Sequence, residues 1–175
     1  YILSKLGLQG SYHIIPCYAR SRLPVLPKHK REKVITFVGG VRRNLDQEIP
    51  LLRSLLSSGF RFKIVGSKQT SQQMQLISHE FIDFLPYNKM LEEISTSAFT
   101  LISFTSRVGD ENYPNDVYAL PYKFHDSLAA GVPVIVNERF VSQRKIVEEL
   151  GIGVVINTKR VEESSEKILQ AWENY

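Results

Sequence analysis

The residues best placed to do chemistry lie between Leu120 and Asn137, LPYKFHDSLAAGVPVIVN. Pro121 suits the first position of a helix, where its missing N–H costs nothing, and Gly131 suits the position just past the end, where a left-handed conformation is needed. The start of such a helix presents amide N–H groups and a positive partial charge, the arrangement that holds phosphate, and Lys123 in the first turn adds a full charge. Lys123 and Asp126 are three apart and share a face, where the plain alternative is a surface ion pair of little energetic value. His125 and Asp126 are adjacent and point in different directions, so they do not make an acid–base dyad; His125 reads as exposed or packed.

A second anion signal is weaker. Gly39 and Gly40 end an apolar run and let a backbone approach a ligand, with Arg42 and Arg43 able to neutralise its phosphates, but a glycine pair serves any tight turn as well. No later glycine continues the pair into a dinucleotide fingerprint, and no glycine-lysine-serine or glycine-lysine-threonine triplet marks a P-loop. No serine sits in a nucleophile-elbow context, and Asp110, Glu111 and Asp116 do not form an Asp-x-Asp metal pair. Neither a metal nor a cofactor is expected.

The composition fits this small-ligand chemistry and narrows the class. At 175 residues, 43% hydrophobic and 23% charged, the chain has the makings of one soluble domain with an ordinary core. A net charge of +4 suits a phosphorylated ligand. Nucleic acid is not expected, because no helix carries Lys or Arg along a whole face and aromatics do not interleave with a basic stripe. Cys17 is the only cysteine, which excludes an intrachain disulfide and a thiolate zinc cluster and suits a reducing compartment. There is no apolar run long enough to span a bilayer and no export signal. The chain begins at a tyrosine, so an excised piece of a larger protein is expected.

The elements that must position these residues follow an alternating pattern. Tyr1 to Leu8 reads as the end of a helix and His13 to Tyr18 as a strand running into a turn. Residues 20 to 33, with Pro24, Pro27 and the basic run Lys28 to Lys33, read as an exposed linker. That gives an inter-domain segment over residues 1–32 and a second unit over 33–175. Within the unit, Val34 to Val38 is a strand; Asn44 caps a helix in capping-box spacing with Gln47, and Leu45, Ile49, Leu52 and Leu56 line one face until Gly59. Phe62 to Val65 is a strand ending at Gly66, Thr70 to Ser78 a helix with Met74 and Ile77 inward, and Phe81 to Leu85 a third strand. Met90, Leu91, Ile94 and Ala98 give the next helix its stripe, and Phe99 to Phe104 is the fourth strand. Thr105 to Ala119 lacks periodicity, and long loops inside compact domains are often functional. Val132 to Val136 reads as a strand buried on both faces, with Pro133 near its start. A helix through Val141 and Leu150, a strand at Ile152 to Ile156 and a helix from Val161 to Trp172 complete the chain.

Strands each followed by a helix imply an α/β, doubly wound, parallel six-stranded Rossmann-like sheet with helices on both faces. Ligands of such sheets bind outside the carboxyl ends of the strands, where strand order reverses. That singles out Gly39 and Gly40, Gly66 and Ser67, Leu85, Pro86 and Tyr87, the loop after Phe104, and the helix start at Pro121.

The succession of a Val-Gly-Gly strand end, FKIVG, IDFLP and ALPYKFHDSLAAGVPVIV resembles the nucleotide-sugar-binding C-terminal domain of GT-B glycosyltransferases, especially the large group 1 type that builds bacterial surface polysaccharides. The resemblance covers roughly residues 34 to 157, and DSLAAGVPV, with its acid five positions before Gly131, is its most specific part. It implies that Asp126 holds the ribose hydroxyls, that the helix start with Tyr122 and Lys123 holds the diphosphate, and that Phe84 to Tyr87 borders the base. The group pairs its acid with another eight positions earlier, where this chain has Tyr118; Asp110, Glu111 or Asp116 would substitute from the longer loop as catalytic candidates. Gly40 stands where the group has an arginine, so Arg42 or Arg43 would serve instead.

The function implied is transfer of a sugar from a nucleotide diphosphate sugar, of UDP, GDP or dTDP type, to a glycan or lipid-linked hydroxyl. The acceptor site would lie on an N-terminal domain of the same parent chain, leaving this unit inactive alone. The setting implied is cytoplasmic, with peripheral contact at the inner face of the membrane. A nucleotide-sugar epimerase or hydrolase of the same architecture, or a non-catalytic α/β binding module, are the alternatives.

Overall fold

In the computed structural model the described residues are 19–39, 45–67, 72–103 and 117–174. Six strands form one wholly parallel sheet: β1 (Glu32–Gly39), β2 (Arg61–Gly66), β3 (Glu80–Ile82), β4 (Ser97–Ile102), β5 (Val134–Asn137) and β6 (Gly153–Ile156), in the order β3-β2-β1-β4-β5-β6. The order runs outward from β1 in one direction and then from β4 in the other, so strand order reverses between β1 and β4. Side chains alternate across the sheet. Ile35, Phe37, Phe62, Ile64, Phe99, Leu101 and Ile135 enter the main core, where α1 (Ile49–Ser57) packs on α6 (Val161–Glu173). On the opposite face Val65 meets α3 (Tyr87–Ser95), and Val134 and Val136 meet Phe124 of α4 (Tyr122–Ala129) and Val147 of α5 (Val141–Leu150). The doubly wound α/β architecture expected from the sequence is the one observed, and no helix among the described residues is long and apolar enough to cross a membrane.

Several boundaries differ from the sequence expectation. The helix after β1 begins at Ile49, not Leu45, because Pro50 fits only a first turn; deeper in a helix its ring would clash with the carbonyl four residues back. Asn44, its expected cap, lies outside the described residues. Ala98 belongs to β4 and not to α3, which ends at Ser95; its four-residue step from Ile94 is a coincidence of spacing. β3 stops at Ile82, and just beyond it the Asp83 carboxylate accepts the Phe84 N–H (2.7 Å), which takes that amide out of the ladder. α2 (Gln72–Gln75) is a single turn, with Met74 and Ile77 buried as anticipated. Pro121 precedes α4 instead of opening it, β5 starts after Pro133, and Gly131 takes the expected left-handed conformation (φ 72°). The expected elements over 1–18, and Phe104 at the end of the fourth strand, fall outside the described residues.

Residues 19–31 are mostly exposed, yet docked. The Leu23 amide bonds the Ala129 carbonyl at the end of α4 (2.7 Å). Arg31, placed by sequence in an exposed basic run, is buried: its guanidinium donates to the carbonyls of Leu26 (2.9 Å), Ser97 (3.3 Å) and Gly131 (2.5 Å). Arginine's planar fork of donors is what lets one side chain serve three carbonyls at once.

Candidate functional site

The carboxyl ends of β1 and β4 meet where strand order reverses, the position at which open α/β sheets bind ligands. Gly39 pairs with Gly66 at the tip of the β1–β2 ladder. Gly66 has φ 129°, and a Cβ there would come within 2.5 Å of the Gly39 carbonyl oxygen, which also accepts the Ser67 N–H (3.0 Å). Only glycine fits, so this part of the floor is bare backbone. Beside it opens an apolar cleft of about 160 Å³, walled by Val38, Val65, Leu85, Met90 and the exposed Phe84. Ligand pockets commonly measure ~300–1,000 Å³. This cleft therefore suits one flat ring of a larger ligand.

On the other side of the floor, Lys123 reaches from the first turn of α4 toward the end of β1. Its ammonium donates to the Ser103 carbonyl (3.1 Å), stands 4.1 Å from the centre of the Phe37 ring, and lies 3.4 Å from where a Cβ on Gly39 would sit. Ser103, directly after β4, donates its hydroxyl to the buried Glu48 carboxylate (2.6 Å). Glu48 and Ser103 escaped the sequence reading, one looking like a helix-surface acid and the other like the polar end of an apolar strand. The signal available for Ser103 was position, directly after the carboxyl end of β4 beside the reversal; Glu48, just before α1, had no such signal. Among the described residues no side chain caps α4; the Phe124 amide is bonded to the Pro121 carbonyl (2.9 Å), and the amides that precede it together with the Lys123 charge favour a negative group.

Lys123 and Asp126 share a face of α4 but do not pair with each other. Asp126 accepts the Tyr87 hydroxyl on Oδ1 (2.8 Å), and burial pushes its carboxyl up from the usual range, with the Tyr87 bond, His125 and Arg20 pulling the other way. The Tyr87 phenol is also pushed up, first by burial and then by its bond to Asp126, so it stays protonated and donates. His125 packs edge-on against Phe124 (centroids 5.7 Å), its Nε2 buried without a partner among the described residues.

Residues 35–173 match the family model described as glucosyltransferase 3-like, C-terminal domain. The chain belongs to this family. Solved structures with the same fold include an alpha,alpha-trehalose-phosphate synthase (UDP-forming) from Burkholderia xenovorans, at TM-score 0.53 and 10% identity over 83% of this chain and 36% of that one. The alpha,alpha-trehalose 6-phosphate synthase of Burkholderia multivorans matches at TM-score 0.52 and 9% identity, over 82% of this chain and 35% of that one. A glycotransferase of kitacinnamycin matches at TM-score 0.51 and 10% identity, over 91% and 39% of the respective chains. No curated protein matches. The chain spans little more than a third of the length of these structures.

In this glucosyltransferase 3-like domain, the anticipated residues Gly39, Gly66, Ser67, Leu85, Lys123 and Asp126 gather at the carboxyl edge of the sheet, with Pro86 and Tyr87 at the start of α3. Tyr118 and Tyr122 are exposed, at 66% and 67%, the latter opening α4. Gly40, Arg42, Arg43 and the proposed catalytic acids Asp110, Glu111 and Asp116 lie outside the described residues.

Proposed function

We propose that this domain is the donor-binding half of a glycosyltransferase, holding a nucleotide diphosphate sugar while its sugar passes to an acceptor hydroxyl. The observation that carries the proposal is the placement of Lys123 and Asp126 on α4 at the strand-order reversal, beside a ring-sized apolar cleft. The family match and the UDP-forming enzyme of the same fold support it. In this reading the base enters the cleft by Phe84 and Leu85, Asp126 meets the ribose hydroxyls, and the diphosphate rests against Lys123 and the first amides of α4. The chemistry is electrostatic. A fixed ammonium and aligned amides stabilise the diphosphate as its negative charge grows and the sugar becomes cationic, with no reorganisation needed at that moment. The acceptor would be supplied by another domain of the parent chain, and the acids of the loop over 105–116 are the candidates for any proton transfer.

Thermal melting with millimolar UDP, GDP, dTDP, ADP or CMP tests the proposal. A nucleotide at ~100 times its dissociation constant stabilises by about 2.7 kcal/mol, a rise of roughly 5–11 °C for a chain of this size. Lys123→Ala and Asp126→Ala should each remove most of that rise. Melting curves that no nucleotide moves, or rises that persist in both variants, would sink the assignment.

A further inference from the structure

Tyr87 opens α3 and Asp126 sits in α4, the two helices packing side by side on one face of the sheet. The Tyr87 hydroxyl donates to Asp126 Oδ1 (2.8 Å) and accepts the Arg20 N–H (3.0 Å). The phenol is thus held by two directional bonds, one of them from backbone. Asp126 is 9% exposed, and its Oδ2 has no hydrogen-bond partner among the described residues. A lone carboxylate turns about its last torsion and must be ordered when a ligand binds. One whose first oxygen is already fixed offers the second in a set direction, which lowers that cost. The same bond favours the charged form, opposing the burial that raises the carboxyl overall.

We propose that Tyr87 is the positioning residue for Asp126, and that through it this carboxylate distinguishes ribose from 2′-deoxyribose; the inference rests on the donor-site reading above. Tyr87 then does more than border the base. Its ring remains beside the cleft while its hydroxyl serves the sugar subsite, and the Arg20 amide orients that hydroxyl from the segment that precedes β1.

Calorimetric titration of the chain with UDP, GDP, ADP and CDP, and with their 2′-deoxy counterparts, tests this. Wild type, Tyr87→Phe, Asp126→Asn and the double variant are compared, with a melting curve for each. Loss of one charge-assisted bond predicts that Tyr87→Phe weakens the best ribonucleotide about tenfold and its deoxy form less than about twofold. In the double variant the loss should not exceed that of Asp126→Asn alone. Equal losses for both sugars, or losses that multiply in the double variant, would overturn the inference while leaving the donor site standing. A wild-type chain that binds none of the eight nucleotides would overturn both. A further readout needs no variant: the Arg20 amide should exchange with solvent more slowly when the ribonucleotide is bound than when the deoxy form is, and equal rates would count against Tyr87 as the link.

Discussion

Truncating Arg31 to alanine should destabilise the domain far more than the loss of a surface cation would. Its guanidinium donates to three main-chain carbonyls, from Leu26, Ser97 and Gly131, at 2.9, 3.3 and 2.5 Å. An orphaned buried acceptor costs roughly 1–3 kcal/mol. Three such costs do not simply add, because the space vacated by the guanidinium admits water that can satisfy some of the carbonyls. A net loss of about 2–4 kcal/mol follows, which for a chain of this size lowers the melting temperature by roughly 4–16 °C. Arg31→Met fills much of the volume without any donor and should fall near alanine. Arg31→Lys keeps the charge, reaches only part of the carbonyl set, and should lose about half as much. Chemical denaturation of the three variants with a shared slope is the assay. If Arg31→Ala and Arg31→Met both stay within about 0.5 kcal/mol of wild type, a range ordinary for surface positions, the guanidinium is not what fastens residues 19–31 to the sheet.

Asp126→Asn should stabilise the free domain at neutral pH, because burial disfavours the charged carboxylate and the amide carries no charge to desolvate. The sign follows from the raised carboxyl: its favourable contribution is present below the ordinary carboxylate range near ~3.9 and is lost as pH rises through the raised value. The gap in melting temperature between variant and wild type should therefore close as pH is lowered through that window; a gap that widens on acidification would refute it. Gly66→Ala meets both a φ of 129° and a backbone oxygen 2.5 Å from the new Cβ, so it should cost at least about 2 kcal/mol and abolish nucleotide-induced stabilisation. An alanine variant that melts and binds like wild type would contradict the close approach of the β1 and β2 ends.

What could be read from the sequence was whatever local physics writes locally. The alternation of apolar runs with helical stripes gave the α/β class, and glycines placed turns at Gly59, Gly66, Gly131 and Gly151, each of which has a positive φ. DSLAAGVPV located the helix of the candidate site because its charge, length and glycine stop lie within one segment. Boundaries failed where a single residue overrode the period, as Pro50 did for α1. Pairings across distance were not legible at all. Nothing in the order of residues says that Tyr87 meets Asp126, 39 positions on, or that Glu48 meets Ser103, 55 positions on, since those contacts exist only once the strand order is set. Arg31 failed for the same reason: a basic run looks solvated until three carbonyls converge on one member of it.

The sheet tapers at both margins, to three residues in β3 and four in β6, while the central β1 has eight. A long, flat outer strand is a template onto which another chain can zip its backbone, and such templates drive aggregation. Here the ladder on the β3 side is only Glu80, Phe81 and Ile82 and carries an acidic side chain, and the Phe84 amide just beyond it is taken by the Asp83 carboxylate. A three-residue rung recruits few intermolecular bonds, so the shortness of β3 limits edge-to-edge association on that side, whatever occupies the cleft at the top of the sheet.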